Sequence, residues 1–330
     1  MMNKSDLARS YREKYPNYAT LKLARIMYSE NNLQYKNVED ARYALRYIEG
    51  KTGEVMKKRN KITEYIIEEP RPYNPYKLPD SDEIIYEPYE IKGYKRVGIL
   101  SDVHIPYHNI PALTAAIKYF KKEKVDAVLL NGDAIDSHTI SNFDRDPKKR
   151  NFAGELDAFS QFFDVLKKQL NSKIFFKLGN HEVRYERFLL QKANELIGIK
   201  EFEFENIIKA RANGIEIIGD KTVMKLNKLN GIHGHEYKGG ISAPVNIARG
   251  LYLRGKVSAF QGHNHSTSEH TETDMNGEIT TTWSIACLSE LHPSYLPLNK
   301  WNHGCAIVDL DDNGKDYEMR NKRIRNGKVL

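Results

Sequence analysis

The chain has 330 residues, 40% of them hydrophobic and 29% charged, with a net charge of +7, which is enough for one large domain plus a small one and for a sizeable core. No apolar run approaches the ~18 residues of a membrane helix, and the charged start from Met1 to Arg12 lacks the apolar stretch of a secretion signal. Two cysteines, Cys287 and Cys305, make no disulfide framework; they fit two buried thiols in a reducing cytoplasm, with a single bridge between them left open.

Three helical patterns fill residues 5–50. The first runs from Ser5, a capping residue, to Lys14, and Pro16 and Asn17 break it. The second starts at Thr20 and carries Leu21, Leu23, Ala24, Ile26 and Met27. The third follows Asn37 and sets Val38, Ala41, Leu45 and Ile48 on one face at spacings of three and four, before Gly50 stops it. Such a small all-α module has the shape of a helix-turn-helix. Residues 1–61 hold 14 Lys and Arg against 7 Asp and Glu, whereas the remainder holds 37 of each, so the whole excess is N-terminal. A local excess points to a polyanionic partner, with a merely solvated basic surface as the alternative. The third helix pairs Arg42 with Arg46 and Tyr43 with Tyr47, four apart, so that Arg could meet phosphates or bases and Tyr sugars. Long side chains covering their neighbours, or a module that docks a protein, remain open readings.

Residues 68–94 change character. Pro70, Pro72, Pro75, Pro79 and Pro88 recur among tyrosines and acidic residues, which favours an extended connector. The expected organisation is therefore a helical module over 1–67, a connector over 68–94 and a large domain over 95–330.

From Lys95 strands and helices alternate. Strands are expected at Val97–Leu100, Val125–Leu130 and Ile174–Lys177, and helices at Ile110–Lys122, Ala153–Leu170 and Val183–Ile197. Further strands are expected at Ile215–Ile218, Thr222–Leu226, Gly231–His233 and Val257–Gln261, with a helix over Val245–Leu253. The last part reads as strands at Thr271–Thr273, Ile279–Ile285 and Ala306–Leu310. This is an α/β layered domain, two packed sheets with helices outside.

Polar clusters follow these strands: Ser101-Asp102-Val103-His104, Asn131-Gly132-Asp133-Ala134-Ile135-Asp136, Gly179-Asn180-His181-Glu182, His233-Gly234-His235-Glu236 and Gly262-His263-Asn264-His265. Strand C-termini are where loops of open α/β sheets converge on a site. Asp, His and Asn supply oxygen and imidazole donors, which suit manganese, iron or zinc better than a soft thiolate site would. All 11 histidines lie between His104 and His303, as expected if they serve chemistry in one domain. One Asp-x-His is weak; five such clusters in this order are not.

In combination these five blocks resemble the calcineurin-like metallophosphoesterase superfamily over residues 95–310. The resemblance implies a two-sheet sandwich with flanking helices and two divalent ions, manganese first, with iron, zinc or nickel as alternatives. It implies that Asp102, His104 and His265 bind one ion, that Asn180, His233 and His263 bind the other, and that Asp133 bridges both. It also implies hydrolysis of a phosphate ester by a metal-bound hydroxide, with His181 as phosphate contact and general acid. His235 and Glu236 would orient His233, with His235 alternatively touching substrate, and Asp136 would support the site or be a loop residue. Arg184 and Arg187, after the third motif, would hold phosphate or lie on an exposed helix face. Leu178 and Asp136-Ser137-His138 stand where protein serine/threonine phosphatases carry arginine residues, so a phosphoprotein substrate loses support. The combination with a basic helical module is similar to phage- or prophage-type members. Three functions follow in order: a nucleic-acid phosphodiesterase, a phosphatase of nucleotides or small phosphomonoesters, and a catalytically weak scaffold.

Overall fold

The computed structural model describes residues 3–16, 18–52, 75–76, 78–79, 84–142, 151–237 and 245–330. The chain divides into two units, Met1–Glu83 and Ile84–Leu330. In the first, α1 (Lys4–Lys14), α2 (Thr20–Glu30) and α3 (Val38–Ile48) pack around Ala8, Leu23, Ala24, Met27, Tyr35, Ala41 and Leu45. The Asn37 side chain caps α3 by accepting from the Asp40 amide. At α1 the capping residue is Asn3 rather than the expected Ser5, and Thr20 makes no cap at α2. The Thr20 hydroxyl instead donates to Glu49, which also pairs with Arg12; all three are buried. Arg12 also donates to the Tyr18 carbonyl at 2.6 Å. This buried pair ties the end of α1 to the end of α3, and losing one partner would cost about 3–5 kcal/mol.

Residues 68–74, 77 and 80–83 of the expected connector fall outside the described residues. Its last part is not free: β1 (Tyr89–Glu90) pairs in parallel with Met224–Lys225. The second unit then continues β2 (Arg96–Leu100), α4 (Ile110–Glu123), β3 (Ala127–Asn131), α5 (Phe152–Leu170), β4 (Lys173–Lys177), α6 (Val183–Lys192), α7 (Phe204–Ile207) and β5 (Glu216–Ile218). It ends with β6 (Met224–Leu226), β7 (Leu229–Gly231), α8 (Ile247–Gly255), β8 (Ala259–Gln261), β9 (Ser268–Thr273), β10 (Ile279–Ser284), β11 (His303–Leu310), β12 (Tyr317–Arg325) and β13 (Lys328–Val329).

Two sheets result. One runs β13-β12-β11-β2-β3-β4-β5, the other β1-β6-β7-β8-β10-β9. Strands β2 to β5 are mutually parallel, as are β7, β8 and β10, so in each sheet several strand C-termini reach one end. Alternation sorts the side chains. Val97, Ile99, Ala127, Leu129 and Phe175 meet Met224, Leu226, Phe260, Trp283 and Ile285 between the sheets. Leu100, Val128, Leu130, Ile174 and Phe176 face the opposite way and pack with Phe120 of α4 and Phe159, Phe163 and Leu166 of α5. Helix α8 lies on the other sheet, where Leu251 packs with Ile232 and Ala259.

Several boundaries differ from the sequence reading, and the last two strands were not expected. Helix α6 stops at Lys192, where the Ala193 amide closes on the Leu189 carbonyl, and a short 3-10 turn replaces its expected end. Strand β7 ends at Gly231, which leaves His233 beyond the strand. Strands β12 and β13 were not anticipated, because Tyr317–Arg325 carries Glu318, Arg320, Lys322, Arg323 and Arg325 with few apolar residues; pairing with β11 makes it a strand.

Candidate metal centre

The first, second and fifth motifs leave their strands through left-handed turns. Asp102, His104, Asp133, His263 and His265 have φ of 53°, 51°, 50°, 63° and 55°. Non-glycine residues in this region are strained by roughly 1–3 kcal/mol each and persist only where surrounding structure dictates them. After β2 the alternation is visible: Val103 and Ile105 enter the core while Asp102 and His104 turn to the site. Glycines keep the loops close. A Cβ at Gly179 would stand 2.3 Å from Asp133 Oδ1, and one at Gly262 would stand 2.6 Å from Asp102 Oδ2.

The donors converge in three overlapping groups, Asp102–His104–His265, Asp133–His233–His263 and His104–Asp133–His181, each compatible with a metal ion. His265 Nε2 lies 3.2 Å from Asp102 Oδ1, and His233 Nε2 lies 3.2 Å from Asp133 Oδ2. The Nε2 atoms of His104 and His265 face each other at 3.3 Å. Asn180 Oδ1 and His233 Nε2 are buried without a hydrogen-bond partner. Buried polar atoms are seldom left so, and this donor set of carboxylates, imidazoles and one amide oxygen fits divalent cations.

The electrostatics are those of a buried charge cluster. Burial alone would raise the Asp102 carboxyl, but His265 and His233 outweigh it and hold it down to about 2. Burial alone would lower the His233 imidazole, but Asp133 raises it to about 10; Asp102 does the same for His265, also to about 10. The carboxylates thus favour positive charge on these imidazoles, and a cation entering the cluster would compete with protons for it.

His181 sits beside this cluster. Its backbone N–H donates to Asp133 Oδ1 at 2.9 Å, its Nδ1 lies 2.8 Å from the Asp136 carbonyl, and Arg184 donates to its Nε2 at 2.9 Å. Burial opposes its positive charge, but Asp133 and Asp136 prevail and hold its imidazole above the ordinary value. Asp136 also contacts His104 Nδ1 at 2.9 Å, so it joins His104 to His181 and is more than a loop residue. His235 lies beside His233 and His263 with ring centroids 5.4 Å and 6.4 Å away, and burial pushes its imidazole down to about 4.

Glu182 and Lys177 carry the site without having been assigned a role from sequence, and the structure gives partners to two residues that had one, Glu236 and Arg184. Glu182 is buried and accepts from the amides of Asp133, Gly179, Ala134 and Ile135, locking the second and third motif loops together. Glu236 accepts from the amides of His233 and Gly234 and pairs with the wholly buried Lys177 at 3.0 Å. A lysine closing an apolar strand was the available signal. Arg184, which could have been an exposed helix arginine, also donates to the Asp136 carbonyl at 2.8 Å. In the other unit, α3 carries Arg42, Tyr43, Arg46 and Tyr47. Tyr43 and Arg46 are exposed and Tyr47 half-buried, while Arg42 pairs with Glu39 at 3.0 Å.

A family model described as calcineurin-like phosphoesterase matches residues 95–315. Gene 54 protein of Mycobacterium phage L5 is 24% identical over 232 residues, covering 66% of this chain and 89% of that protein. Among solved structures, Vacuolar Protein Sorting 29 from Cryptosporidium parvum is 13% identical with a TM-score of 0.39, covering 72% of this chain and 95% of that one. A dimetal phosphatase from Danio rerio is 13% identical with a TM-score of 0.36, covering 72% and 98%.

Replacing Glu182 leaves several buried amides without an acceptor. Glu182→Ala is expected to lose about 3–5 kcal/mol of stability and to weaken divalent-metal binding. Chemical denaturation and metal titration check this, and Glu182→Gln, which keeps one of the two acceptor oxygens, should lose less.

Proposed function

The chain belongs to the calcineurin-like phosphoesterase family of metal-dependent hydrolases, and on that premise we propose that it cleaves nucleic-acid phosphodiesters at a centre of two divalent ions. The observation that carries this reading is the pair of donor groups Asp102–His104–His265 and Asp133–His233–His263 at one end of both sheets, each compatible with an ion. Asp102, His104 and His265 would hold one ion. His233, His263 and the unpartnered Asn180 oxygen would hold the other, with Asp133 facing both. We take manganese as the resident metal, since no thiolate enters the donor set. When bound, the ions supply Lewis acidity toward water and the phosphoryl oxygens.

The chain's own residues do the rest. Asp136 accepts from His181 Nδ1 through its carbonyl and thereby orients the ring. The carboxylates of Asp133 and Asp136 outweigh burial and raise the His181 imidazole above its ordinary value, which favours a proton on Nε2 that it could give to the leaving oxygen. Arg184, now on that nitrogen, would turn to a phosphoryl oxygen once His181 carries its proton. His235, held neutral by burial, would lie against the substrate on the His263 side. Two buried free thiols, Cys287 and Cys305, and described helices none of which could cross a membrane fit a cytoplasmic setting. In the N-terminal module we propose that exposed Arg46 and Tyr43, with Arg42 and Tyr47, contact nucleic acid; the basic excess of residues 1–61 supports this.

Asp133→Ala should abolish tight binding of at least one ion and remove hydrolysis of bis-p-nitrophenyl phosphate. Two metals per chain by elemental analysis, together with unchanged turnover, would sink the assignment. Activity on p-nitrophenyl phosphate or nucleotides with none on diesters would replace the diesterase by a phosphatase.

His181→Asn is expected to keep the metals and lower the rate by roughly 10²–10⁴-fold. The loss should shrink for esters with good leaving groups. An equal loss for alkyl and nitrophenyl esters would rule out proton donation.

Deleting residues 1–70 should leave hydrolysis of small nitrophenyl esters nearly intact while lowering activity on DNA or RNA. Arg42→Ala with Arg46→Ala should reproduce part of that loss. Equal binding of polynucleotide by whole and truncated chains at low salt would instead assign the module to protein docking.

A further inference from the structure

The rim of the metal centre carries a surface that hydrolysis itself does not use. The segment from Ser289 to Asn302 passes directly beside the motif loops. Its ends are tied to them, since the Glu290 amide donates to the Tyr107 carbonyl and the Asn302 amide to the His265 carbonyl, both at 2.9 Å. Inside it, the Asn299 side chain donates to the carbonyls of Leu291 and Leu296, so the segment has a built shape. The Trp301 ring packs on His265 at 4.1 Å between centroids, and Tyr295 meets Trp301 edge-on at 6.5 Å. Tyr295 is nevertheless 73% exposed and Leu298 91% exposed. Its phenol lies within electrostatic reach of Asp136 and Arg184. Large rings left open on a built loop beside a reaction centre mark a contact surface.

A second observation comes from strand register. Ala306 pairs with Ile99 and Gly304 with Arg323, so the Arg323–Arg325 end of β12 lies at the same end of the sheet as the Asp102–His104 loop. Only β11 stands between, a separation of about 10 Å at the usual strand spacing. Arg323, Arg325 and Lys328 are exposed, and among the described residues none of them forms an ion pair. At the far end of the same sheet the cations are partnered: Lys95 with Asp312, Arg96 with Asp309, and Arg320 with Glu123 and Asp309. The one acidic residue of the aromatic segment, Glu290, sits at its Tyr107 end.

We propose that the Tyr295–Trp301 rings and the Arg323, Arg325 and Lys328 cations form a track for single-stranded nucleic acid leading into the metal centre, with bases on the rings and phosphates on the cations. Stacking requires unpaired bases, and a cationic path with open aromatic rings is how sequence-tolerant single-strand binding is built. The track rests on the phosphodiesterase reading for its purpose but not for its binding, so the two can fail separately.

The test uses the full chain and a fluorescein-labelled oligothymidylate, with binding followed by anisotropy in the presence of a chelator. In parallel, hydrolysis of bis-p-nitrophenyl phosphate is measured with manganese. Arg323→Ser, Arg325→Ser and Lys328→Ser together should weaken binding at least about tenfold at low salt. They should also flatten the plot of log affinity against log salt by about 2, since each phosphate contact on a single strand contributes about 0.7. Tyr295→Ala should weaken binding about tenfold, and Tyr295→Phe, which keeps the ring, should restore it. Affinities and salt slopes equal to wild type in the triple variant and in Tyr295→Ala would overturn the track. Wild-type chain that binds the oligothymidylate through these residues yet hydrolyses no ester would uphold the track and overturn the phosphodiesterase reading.

Discussion

Everything in the catalytic unit depends on keeping buried like charges together. Asp102 and Asp133 lie out of water, with Asp136 half-buried beside them, within reach of His104, His181, His233 and His265. Isolated buried carboxylates would be prohibitively costly. Here each faces an imidazole, and the raised His233 and His265 values show how strongly the carboxylates demand positive charge. Protons can meet that demand, and so can divalent ions, with less strain on nitrogens such as those of His104 and His265 that face each other.

Holding such a cluster requires loops that cannot relax. Left-handed turns at five of the donors would unwind if the backbone had a cheaper course. Glu182 removes that freedom at Asp133 by taking up amides of the second and third motif loops, the Lys177–Glu236 pair holds the fourth, and the His263 amide donates to Asp102 Oδ2 to tie the fifth loop to the first. The parallel strands beneath provide the rigid base, because their C-termini converge and their apolar faces are packed on both sides. The order of dependence runs from sandwich to anchoring carboxylates to donors.

Charge counting and charge placement diverge in this protein. By count the basic excess is confined to residues 1–61, yet several of its cations are engaged, with Lys4 on Asp40, Arg9 on Asp6 and Arg42 on Glu39. The remainder nets zero, yet its sheet pairs cations with acids at one end and leaves Arg323, Arg325 and Lys328 open at the other. A sum over sequence averages faces that a sheet keeps apart.

The sequence by itself determined the layered α/β character and the five polar clusters, because an apolar run followed by Asp, His, Asn and Gly is a local pattern. The helices of the first unit were legible for the same reason, through the spacing of Ala41, Leu45 and Ile48. Tertiary structure alone decided that β12 exists, since its charged residues become a strand only by pairing with β11. It alone made Glu182 and Lys177 holders of the loops, and turned Arg184 toward His181. It also set the Trp301 ring on His265. These are contacts between residues far apart in the chain or roles fixed by burial, and neither spacing nor composition encodes the environment that a side chain meets after folding.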